Sequence, residues 1–278
     1  FTGTTQLKLD NSGQLGIGKT PGVLLDVNAD AKINSISIGK GANSVAGNTV
    51  LGESALDASV SGSNNVAIGK QALTENTSGY NNASVGAFSL IANTTGSFNT
   101  ALGKDALVAN TTANNNTAVG ADAMTANTIG TDNTAIGTGA LQDNTEGDSN
   151  VAVGRLALEN NTTADNNTAV GKSALASNTT GTQNTAVGKT SLQATTTGNY
   201  SSALGSSALY SNTTGEHNTA VGRTALYANT TASSNTAVGS NALGANTTGA
   251  LNTAVGSNAL ENTTTGGQNT SCGMQSLR

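Results

Sequence analysis

Cysteine, proline, histidine and aromatic residues are almost missing from this sequence of 278 residues. It has one cysteine, one proline, one histidine and no tryptophan, and aromatic residues make up 3%. A single cysteine excludes an intrachain disulfide framework, and so few aromatic and aliphatic side chains leave a conventional two-layer core thin. Charged residues make up 10% and the net charge is −5, which indicates neither the binding of polyanions such as nucleic acid nor a basic membrane-binding surface.

Catalytic and metal-binding patterns are missing as well. His217 is the only histidine, so a His-based triad would depend on one residue of a variable turn. The sequence has no Cys/His ligand pair, no calcium-binding repeat and no phosphate-binding loop. Glu146 and Asp148 lie in one turn but do not recur as a pair facing a groove, which a glycosidase needs. No stretch is long and apolar enough to span a membrane. We predict no enzyme activity, no cofactor, no metal and no membrane insertion.

What the sequence does contain is a strict 17-residue repeat. A glycine recurs in fourteen consecutive copies from Gly52 to Gly273 without insertion or deletion, and four positions later each copy has Leu or, once, Met124. The consensus is N-T-A-V-G-x-x-A-L-x-x-N-T-T-G-x-x, whose positions we number 1 to 17. A stacked solenoid repeats in this way because each short unit buries its apolar residues only against its neighbours.

The unit is too short for two packed helices, and N-T-T-G would break a helix in every copy. We predict one short strand that runs into the glycine, a second short strand at positions 8 and 9 of the unit (alanine and leucine), and a turn at N-T-T-G. The predicted fold class is therefore all-β, a parallel β-solenoid of 17-residue rungs. Disorder is the alternative for so polar a composition. However, a disordered linker does not require Leu at the same position of every repeat. At about 4.8 Å per rung, the array should form a rod of roughly 60 Å.

We divide the chain into a β-rich N-terminal segment, residues 1–38, and the repeat array, residues 39–278, with exact repeats from about residue 48. Residues 7–9, 15–18 and 23–27 are predicted strands, separated by turns at 10–13 and at Pro21-Gly22. Residues 37–40 echo the repeat and predict a shortened first rung. The last copy stops at Arg278 without a visible cap, so we expect the natural chain to continue.

Two motifs resemble known families. The core Asn-Thr-Ala-Val-Gly, with Ser-Ile-Ser-Ile-Gly at residues 35–39, resembles the S-V-A-I-G repeat in head domains of trimeric autotransporter adhesins. Residues 13–18 (G-Q-L-G-I-G), followed by residues 25–28 (L-D-V-N), resemble a module that precedes such repeats in bacteriophage tail-fibre proteins. The 17-residue unit is longer than the usual adhesin coil.

These resemblances imply a left-handed β-roll and a homotrimer. They imply a structural and host-attachment function in the tail fibre of a virion, with a host cell-surface receptor or glycan and other fibre or virion proteins as partners. An adhesin head on a bacterial cell surface is the alternative. An ice-binding solenoid is a third hypothesis. It is disfavoured here because the threonines pair as adjacent turn residues.

The residues themselves also favour an oligomer. If Ala and Val at positions 3 and 4 lie in a strand, they face opposite ways, so one apolar column stays outside and needs cover from a neighbouring chain. A monomer with an uncovered column is the alternative. Asn at position 1 and Asn or Thr at position 12 predict hydrogen-bonded ladders along the axis. We expect Leu175 and Val187 to be buried, and Cys272, at position 4, to be a small buried hydrophobe.

Specificity is predicted at positions 6, 7, 10, 11, 16 and 17, which vary from copy to copy. An aromatic group within about two rungs supplies the candidate receptor-contact residues, which are Tyr200, Tyr210, His217 and Tyr227. Cations at position 6 form an interrupted basic stripe, interpreted first as solvated charges that oppose aggregation. The stripe consists of Lys70, Lys104, Arg155, Lys172, Lys189 and Arg223.

Overall fold

The N-terminal segment contains an antiparallel hairpin. The structure, a computed structural model, describes residues 6–9, 15–18, 31–59 and 61–278. Strands β1 (Gln6–Leu9) and β2 (Leu15–Gly18) pair with Leu7 opposite Ile17, which confirms two of the predicted strands. The predicted strand at residues 23–27 and the predicted turns before it lie outside the described residues.

The end of the N-terminal segment and the repeat array together form one sheet of sixteen strands whose order follows the chain. Strands β3 (Ala31–Ile33), β4 (Ile36–Gly39) and β5 (Thr49–Gly52) come first, with a short 3₁₀ turn at Ala42–Ser44. From β5 onward each strand pairs in parallel with the strand of the next repeat, so that Val170 lies opposite Val187. The predicted β-solenoid is confirmed. The later strands are β6 (Val66–Ile68), β7 (Ala83–Val85), β8 (Thr100–Leu102), β9 (Thr117–Val119), β10 (Thr134–Ile136), β11 (Val151–Val153), β12 (Thr168–Val170), β13 (Thr185–Val187), β14 (Ser202–Leu204), β15 (Thr219–Val221), β16 (Thr236–Val238), β17 (Thr253–Val255) and β18 (Thr270–Cys272).

The first strand that echoes the repeat is not a rung. β4 pairs antiparallel with β5, with Ile38 opposite Leu51, and antiparallel with β3 on its other side. Interpreting residues 37–40 as a shortened rung is therefore wrong. The stretch from Gly39 to Gly52 is shorter than one repeat unit and cannot complete a full circuit, so the chain reverses instead. The resulting antiparallel pair covers the open edge of the first parallel strand, as expected at the end of a solenoid.

Strand alternation decides which side chains fill the coil. In β13 and the residue before it, Asn184 and Ala186 point inward and are fully buried, whereas Thr185 is exposed and Val187 is half-buried. Inward positions 1 and 3 and outward positions 2 and 4 follow from the period of two. The prediction that Val187 is buried is therefore wrong for the single chain. Cys272 is exposed for the same reason, which corrects its assignment as a buried hydrophobe.

Positions 8 and 9 form a turn, not the predicted second strand. Ala174 and Leu175 are consecutive, yet both are fully buried, which an extended strand with one face in water does not allow. Leu175 has a φ of 51° and Ser173 a φ of 54°, and these left-handed residues turn both apolar side chains inward. The left-handed conformation costs a bulky residue about 1–2 kcal/mol. Burying Leu gains about 1.5–3 kcal/mol, which offsets that cost in each rung.

The glycine at position 5 is required by both conformation and space. Gly188 has a φ of 137°, where L-residues are strained. A Cβ added there would lie 2.5 Å from the carbonyl oxygen of Gly205 in the next rung. Both constraints apply at position 5 of every rung from Gly69 to Gly256.

Two buried asparagine ladders run along the axis, as predicted. At position 1, the backbone N–H of Asn167 donates to Oδ1 of Asn150 at 2.9 Å, and Nδ2 of Asn167 donates to the carbonyl of Gly181 at 2.8 Å. At position 12, Nδ2 of Asn161 donates to Oδ1 of Asn144 at 2.8 Å. These bonds pair polar groups that would otherwise be costly to bury. Threonine at position 13 adds a third ladder, in which each Oγ1 donates to the carbonyl of the next rung.

Candidate functional site

The structure places the four candidate aromatic residues in two stacked pairs. The rings of Tyr200 and His217 have centroids 4.9 Å apart and planes 4° apart. Those of Tyr210 and Tyr227 are 5.2 Å apart with planes at 8°. Each pair joins neighbouring rungs at the same position, 17 for the first pair and 10 for the second. No ring contact in the described part of the chain joins one pair to the other.

The backbone holds the first pair in place. Tyr200 and His217 both have left-handed φ values, 56° and 55°, and their backbone N–H groups donate to carbonyls of the preceding rung at 3.1 Å. Their rings are exposed. A stacked pair held in this way presents flat π faces that suit the apolar face of a sugar ring or a cation. Tyr80 and Phe98 form a further pair with edge-to-face geometry at 5.1 Å.

Position 16 is less free than the sequence predicts. The backbone N–H of Thr131 donates to Oδ1 of Asp148 in the next rung at 2.6 Å, and the N–H of Asp148 donates to Oδ1 of Asp165 at 2.7 Å. Asn199 accepts from the N–H of Thr182 in the same way at 2.7 Å. A polar side chain here pairs a backbone donor that the sheet leaves unpaired. Asp148 therefore has a structural role, and the recurrence of Asp, Asn, Ser and Thr at position 16 was the sequence signal that pointed to it.

The cations of position 6 differ in their surroundings. Nζ of Lys70 lies 3.6 Å from a carboxylate oxygen of Glu53. Lys104 donates to the carboxylate of Asp105, and this hydrogen bond raises the pKa of Lys104. Arg155, Lys172 and Lys189 are exposed and form no ion pair with any residue that the structure describes.

The outward face of the sheet carries two continuous columns. Position 2 is Thr in ten of fourteen rungs and position 4 is Val, Ile or Leu in all but the last. Several of the aliphatic side chains at position 4 are strongly exposed. These are Leu51, Leu102, Ile136, Leu204, Val238 and Val255, and Leu204 reaches 52%. We call this surface the Thr/Val face, and it contains no charged side chain.

The Thr/Val face corrects one step of the argument against ice binding. The threonines of positions 13 and 14 are indeed adjacent turn residues. However, those of position 2, such as Thr185, lie on a strand, face outward and alternate with inward Ala186. Outward Thr is thus present on this face, but only once per strand, because the other outward position of the same strand holds Val187.

Other kinds of site have no support within the described ranges. No group of three or more His, Cys, Asp or Glu residues there is arranged to hold a metal ion, and no described helix could cross a membrane. Comparison with known proteins adds no relative. No protein-family model, no curated protein and no solved structure matches the chain. The function must therefore be argued from the geometry.

Proposed function

We propose that this chain forms a rigid, homotrimeric shaft in a host-attachment fibre of a phage or phage-like particle, which extends and presents receptor-binding surface. The observation that carries the proposal is the Thr/Val face, which runs along all fourteen rungs. An uncharged face with a column of half-exposed aliphatic side chains is typical of an interface, because monomeric proteins rarely expose large continuous apolar patches.

Self-association is the simplest way to cover this face. Each chain carries the same two columns with the same rung spacing, so copies can pack along their whole length in a closed, symmetric arrangement. Three copies, rather than two, follow from the resemblance to trimeric adhesin heads. The buried Asn ladders and the half-buried Thr ladder supply the stiffness that a shaft needs, because they add hydrogen bonds between neighbouring rungs.

Sedimentation equilibrium of the purified chain tests the assembly. We expect three times the chain mass, and we expect Val170→Asp combined with Val187→Asp to give monomers, because two carboxylates per chain would be buried without partners. The matched control is Thr180→Asp with Thr197→Asp, which adds the same charge at exposed turn positions of the same rungs. A monomeric parent protein, or an unchanged trimer in the Val variant, contradicts the proposed assembly.

Localisation tests the fibre against the alternative of a bacterial adhesin. Gold-labelled antibody raised against the array should decorate particles released from the producing culture. Labelling confined to the surface of the cells would favour the adhesin. Soluble receptor or glycan that blocks particle adsorption would then identify the partner.

A second candidate function, ice binding, is favoured by the outward Thr of position 2. Thr185 and Val187 point the same way from one strand, and the columns repeat with rung spacing, which makes a regular array of methyl and hydroxyl groups. This use needs the Thr/Val face open to water and therefore competes with a trimer interface. If the purified protein shows no thermal hysteresis at millimolar concentration, the ice-binding hypothesis is wrong.

A further inference from the structure

Three cations at position 6 occupy consecutive rungs, and we propose that they bind a linear anionic polysaccharide that lies along the fibre axis. The residues are Arg155, Lys172 and Lys189, which we call the cation ladder. The inference rests on the proposed function, in which the shaft meets a cell-surface glycan, and it names the chemical class of that glycan as a polyuronate.

The cation ladder places like charges in direct register. The strands of these rungs pair residue for residue in parallel, so the three Cα atoms at position 6 follow one another at about the rung spacing of 4.8 Å. That distance is shorter than the screening length of about 8 Å at physiological salt. The three side chains therefore repel one another in the isolated chain, and a partner of opposite charge would remove this repulsion.

Nearby acids do not remove the repulsion. Elsewhere along the stripe, Glu53 and Asp105 at positions 6 and 7 pair with Lys70 and Lys104. Across the cation ladder and the rung on either side of it, positions 6 and 7 hold no acid. Position 7 there is Gly139, Leu156, Ser173, Thr190 and Ser207, and the flanking residues of position 6 are Thr138 and Ser206. Glu159, at position 10 of the Arg155 rung, forms no ion pair with a cation of the ladder in the described part of the chain.

The acidic side chains of position 16 in these rungs, unlike the cations, form hydrogen bonds that explain why they are present. Asp148 and Asp165 each accept a backbone N–H from the preceding rung. For the side chains of the cation ladder, the described part of the chain provides no hydrogen bond or ion pair that would account for them. Their charge is therefore available to a partner outside the chain.

Charge spacing favours a polysaccharide over a nucleic acid. A linear polyuronate carries one carboxylate on each sugar, so its charges recur along one direction and can pair with cations that are themselves arranged along the fibre axis. Duplex DNA carries one phosphate per about 3.4 Å on each strand, which does not match rungs at about 4.8 Å.

The test compares two variants of the assembled protein with polygalacturonate as the probe. The first is Arg155→Ser, Lys172→Ser and Lys189→Ser. The matched control is Lys70→Ser, Lys104→Ser and Arg223→Ser, which also removes three positive charges from position 6 but leaves the cation ladder intact. Serine already occupies this position in Ser206, Ser240 and Ser257, so both variants should fold. We expect the first variant to bind at least tenfold more weakly than the parent protein, and the control to lie within threefold of it.

Several results would overturn the inference. Equal losses in the two variants would show a response to net charge alone, and parent binding no stronger than to neutral dextran would show no polyuronate site. Tighter binding of duplex DNA than of polygalacturonate at equal charge concentration would point to a different partner. Sedimentation of the same samples separates this inference from the proposed function. A trimer that does not bind polygalacturonate would contradict only the proposed class of glycan. A monomer that binds it through the cation ladder would contradict the proposed trimeric fibre.

Discussion

Oδ1 of the buried Asn178 has no hydrogen-bond partner because the next rung has Thr195 where most rungs have asparagine. In the rest of the ladder this oxygen accepts from Nδ2 of the following asparagine, as Asn161 does from Asn178 at 2.9 Å. Thr195 has no such group. The same break recurs at Asn246, whose Oδ1 is also unpaired, and Thr263 is the residue one rung later. Two independent breaks with the same consequence show that the ladder depends on asparagine in each rung.

Thr195→Asn should stabilise the protein. The new amide would donate to Oδ1 of Asn178 and pair a buried acceptor whose orphaned state costs about 1–3 kcal/mol. The substitution places in this rung the residue that its neighbours already hold. Chemical denaturation should show a midpoint above that of the parent protein.

The reverse substitution is the matched control for the ladder. Asn229→Thr removes the bond from Nδ2 of Asn229 to Oδ1 of Asn212, now 2.8 Å, and should lower the unfolding free energy by about 1–3 kcal/mol. If Thr195→Asn and Asn229→Thr both left the midpoint unchanged, the ladder would not contribute to stability.

Leu175→Ala should destabilise by about 2–5 kcal/mol, because it leaves a cavity in a fully buried column. Val187→Ala is the contrasting variant, since Val187 is half-buried within one chain. In the monomer, Val187→Ala should lower the free energy of unfolding by clearly less than Leu175→Ala does. A larger loss for Val187→Ala that appears only in the assembled protein would place Val187 in the interface between chains. Equilibrium unfolding at two protein concentrations separates these cases, because only the interface term depends on concentration.

Gly188→Ala should be among the most damaging single substitutions in the array. Its φ of 137° alone costs an L-residue about 1–3 kcal/mol, and the added Cβ meets the backbone of Gly205. Gly181→Ala at position 15 is the control. Its Cβ would also approach the next rung, but the backbone there is not left-handed, and other rungs accommodate a methyl group at this position. Those rungs have Ala113, Ala164 and Ala232. The melting temperature of Gly188→Ala should be well below that of Gly181→Ala. The opposite order would refute the argument that the left-handed backbone requires glycine.

Replacing Tyr200, Tyr210, His217 and Tyr227 with Ser tests the aromatic group as a receptor contact. Surface substitutions usually change stability by under about 0.5 kcal/mol each, and each lost stacked pair adds about 0.5–1.5 kcal/mol, so the rod should stay folded. Attachment to host cells should fall sharply in this variant. Tyr80→Ser with Phe98→Ser removes the other aromatic pair and controls for a general loss of aromatic surface. Unchanged attachment would assign recognition to another part of the fibre.

The interior of the rung shows where sequence reasoning succeeds and where it fails. The repeat period and the asparagines predicted the solenoid and its ladders, because both depend only on which residues recur. Position 9 was misassigned, since Ala-Leu reads equally well as a strand or as an inward turn. Only the left-handed φ of residues such as Leu175 shows that these positions form a turn and not a strand. Position 16 looks free from the sequence, because its hydrogen bonds reach a residue in the neighbouring rung that is 17 positions away along the chain.

The sequence by itself determined the architecture of this protein, because a strict 17-residue spacing leaves stacking as the way to bury one Leu and two Ala per unit. The tertiary structure decided which side chains face water. It turned Leu175 inward, because the left-handed backbone of Ser173 and Leu175 bends the chain there. It turned Val187 outward, because side chains alternate along the strand and Ala186 faces the interior. It also decided that β4 runs antiparallel to β5. The direction in which a strand pairs depends on the path of the connecting chain through space, and the residues of the strand do not encode it.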